Sequence, residues 1–422
     1  MSKLNDIAYI TKLAGFEHTK YIQGNCTHQK QNNDDKPLFI GKTVRNGAID
    51  ENFDWYIKSK ISEELPRSQL NKKCIVLPYV GSVGDLAIFN AQYKAHLGSN
   101  IAKIELNEDC QFSEEFIYYY LKSPYGQKVL LKDIQGAIQK NITMDAIRNV
   151  EIPDIDEITQ NKIVNVLLKL DNKINTNNKI IAELEAMAKT IYDYWFLQYE
   201  FPNEGGKPYK SSGGKIVWNE ELKKQIPEGW ESKKIVEIED NIVTGKTPST
   251  KDEENFNGNI PFITIDDIRQ GLYVSNTVRT LSEKGANLQI KKYIPKDSIC
   301  VTCIATVGLV GITTKDSQTN QQINSIVCKN KNNLYYLVNA IKDYFEYSCG
   351  AKSGNIFDNM NKEDFASIKL IYPTEDVLEK FIEKVEPIYS KIKSCILENE
   401  ELTKLRDYLL PLLMNGQVGF KN

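Results

Sequence analysis

Only three histidines occur in 422 residues, His18, His28 and His96. None of them shares metal-ligand spacing with another, so a centre built on imidazole is not indicated. A glycine-rich dinucleotide fingerprint is missing, and so is the Asn-Pro-Pro-aromatic or Asp-Pro-Pro-aromatic tetrapeptide of amino-methyltransferases. Gly245-Lys246-Thr247 and Gly41-Lys42-Thr43 end like phosphate-binding loops. Each lacks the glycine five positions earlier, where Asp240 and Lys36 stand. No Ser-His-Asp arrangement suggests itself, and the chain looks catalytically empty. No apolar run approaches the roughly 20 residues that span a bilayer. Met1 to Asp6 has no signal-peptide core, which predicts a cytoplasmic protein. Excess charge of either sign is also lacking: 53 Lys+Arg stand against 56 Asp+Glu, a net charge of −3. That counts mildly against a nucleic-acid partner, yet folding can partition charge.

Eight cysteines are present without regular framework spacing, and they read as reduced thiols. Cys300-Val301-Thr302-Cys303 has the spacing of half a zinc site, with Cys328 and Cys349 downstream. Val76 and Tyr79 hold the matching places of an internal repeat, so a buried strand is the expectation. Pro153-Asp154-Ile155-Asp156-Glu157 reads as the acidic entry to a helix, where the dipole favours negative charge.

What the chain does have is a second copy of itself. Residues from about 4 to 196 recur from about 235 to 414. Ser82-Val83-Gly84 after Ile75-Val76-Leu77 matches Thr306-Val307-Gly308 after Ile299-Cys300-Val301, at an offset of 224. Phe39-Ile40 and Arg45-Asn46-Gly47 are matched to Phe262-Ile263 and Arg269-Gln270-Gly271. A fixed period points to a modular architecture.

Each copy is a turn-rich stretch followed by a long helical one. Strands are expected over Cys74 to Leu77, Leu86 to Phe89 and Ile101 to Leu106, and a helix over Phe112 to Leu121. From Glu157 to about Phe196 the apolar period becomes helical. Ile163, Leu167, Leu170, Ile174, Leu184 and Met187 map at an offset of 218 onto Phe381, Val385, Ile388, Ile392, Leu402 and Leu405. The two stripes, each longer than one ordinary core needs, predict a coiled-coil pair. Pro387 predicts a kink or restart. Residues 201 to 215 read as a linker or exposed loop, and Pro227-Glu228-Gly229-Trp230 as a turn delivering an anchoring Trp.

Polar loops stand at matching places in both copies. They offer Lys42, Arg45, Asn46, Ser82, Gln139, Lys140 and Asn141 in the first. The second offers Lys246, Thr247, Ser249, Arg269, Gln270, Thr306, Gln321, Gln322, Ser353 and Asn355. Arg, Asn and Gln side chains make paired hydrogen bonds to base edges, so these are the candidate DNA contacts. No catalytic residue and no metal ligand is expected.

Several runs resemble the specificity subunits of type I restriction-modification systems. They are Gly206-Lys207-Pro208-Tyr209 through Gly214, Ile226-Pro227-Glu228-Gly229-Trp230 and Gly245-Lys246-Thr247-Pro248-Ser249. Gly258 to Ile263, Asn320-Gln321-Gln322-Ile323 and the ending Leu409 to Gly416 continue the likeness in the same order. The first copy departs at its opening, Leu4 to Gly15, and in its loop Gln23 to Asp35, which implies a different base sequence for each module.

The resemblance implies an α+β chain with two pseudo-repeated mixed α/β target-recognition domains. Two long helices, forming an antiparallel coiled coil, separate them. The divisions expected are 1–155 for the first domain and 156–198 for the central helix. Residues 199–374 form the linker and second domain, and 375–422 the C-terminal helix. The function implied is recognition of a bipartite, asymmetric site in double-stranded DNA. Implied partners are two methyltransferase subunits, which carry S-adenosylmethionine, and motor-nuclease subunits in the restricting form. No cofactor on this chain is implied. The competing reading is a coiled-coil scaffold without sequence specificity.

Overall fold

The structure, a computed structural model, describes residues 2–45, 47–132, 141–351 and 359–419, without the side chains of 348–351. Asn46, Gln139, Lys140, Ser353 and Asn355 lie outside the described residues. The chain divides into two compact units, Met1–Lys173 with Leu402–Asn422, and Ile174–Glu401.

The first unit is built on β1 (Ala8–Lys12), β2 (Cys74–Pro78), β3 (Ala87–Phe89) and β4 (Ile101–Leu106). They pair antiparallel in the order β3-β2-β4-β1. Every residue of β2 is buried, as a continuous apolar run predicts for a central strand. Helix α1 (Glu114–Lys122) starts at Ser113, whose hydroxyl accepts the Phe116 N–H at 3.2 Å. Helix α2 (Glu157–Tyr192) starts at Asp156, whose carboxylate accepts the Thr159 N–H at 2.9 Å and the Thr159 hydroxyl at 2.6 Å. The acidic cluster there is a helix cap.

The second unit repeats the plan. Its strands β5 (Ile242–Thr244), β6 (Ile299–Thr302), β7 (Val310–Thr313) and β8 (Ile323–Ile326) run in the order β7-β6-β8-β5. Helices α3 (Lys331–Ala351) and α4 (Glu375–Met414) follow. In each unit a short strand near its start pairs with one near its end. Ser2–Lys3 joins Glu151–Ile152, and Glu231–Lys234 joins Lys369–Tyr372.

The ladder corrects one alignment. Phe39 pairs in parallel with Leu97 as Ile263 pairs with Thr319. The Ile40 N–H donates to Thr43 Oγ1 at 2.9 Å as the Thr264 N–H donates to Asp267 Oδ2 at 2.7 Å. Phe39-Ile40 therefore matches Ile263-Thr264, one residue beyond the pair chosen from sequence. Two adjacent apolar residues look alike in sequence, and only the ladder separates them.

Within each unit, segments of α2 and α4 pack antiparallel. In the first, Asp171 bonds Arg406 at 2.9 Å, while Ile163 and Leu167 share a core with Leu410 and Leu413. In the second, Asn177 Nδ2 donates to Glu398 and Asn399, both at 2.9 Å, and Trp195 meets Phe381 at 5.8 Å. Helix α4 passes through Pro387 without a break, so the expected restart does not occur. Burial of Val385 and Tyr389 on either side holds the turn in place.

The stretch 201–215 is ordered. Phe201 stacks on Tyr209 at 4.5 Å and on Trp230 at 5.0 Å, and its carbonyl accepts the Tyr209 N–H. Trp230 is buried behind a turn in which Gly229 has φ +84°, the region glycine enters without strain. Cys300 and Cys303 are buried, and burial pushes their thiols to about 12 and about 11. Among the described residues no group of side chains could hold a metal ion, and no helix is long and apolar enough to cross a membrane.

Candidate functional site

In the second unit a loop leaves β5 at Gly245. A Cβ there would lie 2.1 Å from the Asn320 carbonyl oxygen, so only glycine allows this approach. The Lys246 N–H bonds to the Thr319 carbonyl at 3.0 Å, and Thr247 Oγ1 donates to Gln321 Oε1 at 2.5 Å. The Lys246 N–H and the Thr247 hydroxyl of the Gly-Lys-Thr run are thus engaged within the module rather than turned into a phosphate-wrapping loop. The run is laid against the Asn320-Gln321-Gln322 turn. That turn is itself tied, with Asn320 Nδ2 donating to Gln322 Oε1 at 2.9 Å and the Cys303 N–H donating to the Gln322 carbonyl at 2.8 Å. Lys246 and Ser249 are exposed.

A second pair closes nearby in sequence. Arg269 Nη2 donates to Thr306 Oγ1 at 2.8 Å and Nη1 bonds Asp266 at 2.9 Å. Gln270 is exposed beside it. Arg269 is held by one hydroxyl and one exposed carboxylate, an arrangement that leaves guanidinium N–H groups for an acceptor in solution.

In the first unit the matching residues are less joined. Lys42 forms an ion pair with Asp54 at 2.5 Å. Arg45 is exposed on a two-residue strand, and Ser82 is exposed in the turn between β2 and β3. Arg45 and Ser82 make no mutual hydrogen bond among the described residues. Asn141 bridges Val80, and its side-chain oxygen is buried without a partner. The β2–β3 turn and its counterpart have the same backbone. Gly81 and Ala305 have φ +86° and +65°, and Gly84 and Gly308 have φ +95° and +93°.

Sequence reasoning missed Ser99 and Asn100. The Tyr79 N–H donates to the Asn100 carbonyl as Cys303 does to Gln322, and the Gly41 N–H donates to Ser99. Ser99-Asn100 is therefore the first unit's counterpart of Gln321-Gln322. The turn signal Gly98-Ser99-Asn100 was there to be read. By the same ladder, Leu13-Ala14-Gly15 after β1 stands where Gly245-Lys246-Thr247 stands after β5.

On the helices Ile163, Leu167, Phe381, Val385 and Ile392 are buried, and Leu170, Ile174, Leu184, Ile388 and Leu402 are half-buried. Met187 and Leu405 are 53% and 45% exposed. They are equivalent positions, and in both helices the seam passes instead through the next residue, Ala188 and Arg406. The helical period of 3.6 carries a repeat of three and four off the seam in this way.

The chain matches the family model described as type I restriction modification DNA specificity domain over residues 1–186 and again over 227–402. It is 32% identical over 328 residues to the type I restriction enzyme HindI specificity subunit of Haemophilus influenzae, covering 66% of this chain and 71% of that one. It is 27% identical over 311 residues to the MjaIX specificity subunit of Methanocaldococcus jannaschii, covering 72% and 69%. The crystal structure of a type I restriction-modification S subunit from M. genitalium superimposes with TM-score 0.53 at 16% identity, over 98% of this chain and 95% of that one.

Proposed function

Because this chain belongs to the type I restriction-modification DNA specificity family, whose members are non-catalytic specificity subunits, we propose that it reads a bipartite, asymmetric site in double-stranded DNA. Residues 1–155 read one half-site and 199–374 the other. Residues 156–198 and 375–422 set the spacer and dock partners. The observation that carries this reading is the doubling of the loop scaffold. The same strand order places the 82 and 306 turns, and the Ser99-Asn100 and Gln321-Gln322 turns, alike in each unit. The side chains on those turns differ, which suits two different half-sites.

The base-edge contacts proposed are Arg269, Gln270, Thr306, Gln321 and Gln322 in the second module, and Arg45, Asn46, Ser82, Gln139 and Asn141 in the first. Ser353 and Asn355 complete the set in the second. Lys42, Lys140, Lys246, Thr247 and Ser249 are assigned to phosphates, which position a protein without specifying sequence. The exposed residues Met187 and Leu405 are assigned to docking of two methyltransferase subunits. Those carry S-adenosylmethionine, and this chain binds no cofactor. Motor-nuclease subunits join in a restricting assembly, and the complex acts in the cytoplasm.

Co-expression with its methyltransferase, followed by mapping of methylated adenines on host DNA, tests the proposal. One bipartite motif with a fixed spacer is expected. A stable complex that methylates without sequence preference would sink it and favour the scaffold reading.

A further inference from the structure

A chain that carries two similar halves faces a choice of pairing. Each half could pack its long helix against the other half, or against the same half of a second copy. We infer that the ends of the two long helices are keyed by side-chain size and polarity, so that each fits only the module of the opposite half.

The C-terminal end of α2 presents Tyr192, Trp195 and Phe196, which are 4%, 8% and 3% exposed. Phe196 is T-shaped on Phe381 at 4.8 Å and on Tyr336 at 5.0 Å, and it meets Trp230 at 5.7 Å. At the same offset of 218, the end of α4 presents Leu410, Leu413 and Met414, each 4% exposed. These lie in the first unit's core with Ile163, Val164 and Leu167. Ile163 is the counterpart of Phe381. One socket is aromatic and filled by an aromatic plug. The other has Ile163 in the place of Phe381 and is filled by an aliphatic plug, in a core that also holds Phe116 and Tyr119.

Homotypic pairing would mismatch both. Two N-terminal halves would drive Tyr192, Trp195 and Phe196 into the socket shaped for Leu, Leu and Met, which overpacks it. Two C-terminal halves would leave voids beside Phe381 and Trp230. The polar contacts add a second key. Asp171 accepts from Arg406 at 2.9 Å and from the Tyr119 hydroxyl at 2.7 Å. Asn177, fully buried, is met by Glu398 and Asn399. At the offset of 218 the Asp171–Arg406 pair becomes Tyr389 and Ala188, and the Asn177–Asn399 pair becomes Cys395 and Ile181. A second N-terminal half would therefore set Asp171 opposite Ala188 and Asn177 opposite Ile181, so that the Asp171 carboxylate loses the Arg406 guanidinium and keeps only the Tyr119 hydroxyl, and the buried Asn177 amide loses both of its partners.

The experiment starts from the full chain carrying a protease recognition sequence in the exposed turn Glu204–Gly206. It is cut after folding. Light and isotope-labelled preparations are unfolded, mixed, refolded and read by native mass spectrometry. Each complex is expected to hold one N-terminal and one C-terminal fragment, with homotypic pairs below about one in a hundred. The plug-exchanged chain carries Tyr192→Leu, Trp195→Leu, Phe196→Met, Leu410→Tyr, Leu413→Trp and Met414→Phe, and its composition is unchanged. Its homotypic fraction should rise to about one in ten or more. Homotypic pairs at the random share in the unexchanged chain would overturn the inference. The intact plug-exchanged chain supplies a readout that needs no refolding of fragments. Its melting temperature should drop by about 10 °C or more, and an unchanged value would show the plugs to be interchangeable. Neither readout involves DNA, so failure here is distinct from failure of the recognition proposal.

Discussion

Single residues decide how the loops of the second module meet. Gly245 is the clearest, because a methyl group there collides with the Asn320 carbonyl and with Thr319 Oγ1 at 2.2 Å. Gly245→Ala should cost roughly 1–3 kcal/mol, the usual range for a forced backbone shift, and weaken specific DNA binding. Urea unfolding with a gel-shift titration checks both. His96 is fully buried and stands where the second module has Gln318, each pairing in parallel with an equivalent strand. Burial is the main cause that holds its imidazole pKa below the ordinary value. The folded state therefore binds its proton less readily than the unfolded state does. Stability from this group is present above about 6.5, the ordinary imidazole value, and is lost as pH falls through the lower folded value. The urea midpoint of the first unit should decline between pH 7 and pH 5. His96→Gln should flatten that decline, and an unchanged slope would remove His96 as its cause.

Whole elements show where local propensity yields to packing. Pro387 deletes one intrahelical N–H and leaves the Glu383 carbonyl without its usual partner, yet α4 is a single helix from Glu375 to Met414. Val385, Tyr389 and Ile392 are buried around it, and their packing outweighs the local defect. Pro387→Ala should therefore stabilise the chain by up to about 3 kcal/mol, the difference in helix propensity between the two residues. Thermal unfolding would show it as a higher midpoint, and a lower one would mean that the proline shapes the helix. Stripe residues were legible from their spacing alone, because period and burial are the same fact in a helix. Met187 and Leu405 were not, since a repeat of three and four cannot tell position 187 from 188. The partner helix chose between them.

At the scale of the molecule, the proposed role makes the long helices a ruler between two half-sites. A base pair rises about 3.4 Å along a strand, and four helical residues add about 6 Å. Inserting four residues between Asn172 and Asn178 should lengthen the spacer by about one or two base pairs and leave both half-sites unchanged. Methylation mapping of the variant reads this directly. An altered half-site with an unaltered spacer would separate helix length from recognition. Exchanging one module for that of a related chain should change one half of the motif only.

The sequence by itself determined the doubling, the two long helices, the buried cysteine strand and the acidic helix cap. Each of these is local, a matter of period, offset or neighbouring charge along one stretch of chain. Only the tertiary structure decided the partners. It matched Phe39 with Ile263, laid Gly245 against Asn320, and set Ser99-Asn100 in the place of Gln321-Gln322. It also placed an aromatic plug in one core and an aliphatic plug in the other. These facts depend on ladders and side-chain volumes from segments far apart in the chain, and no local pattern carries that information.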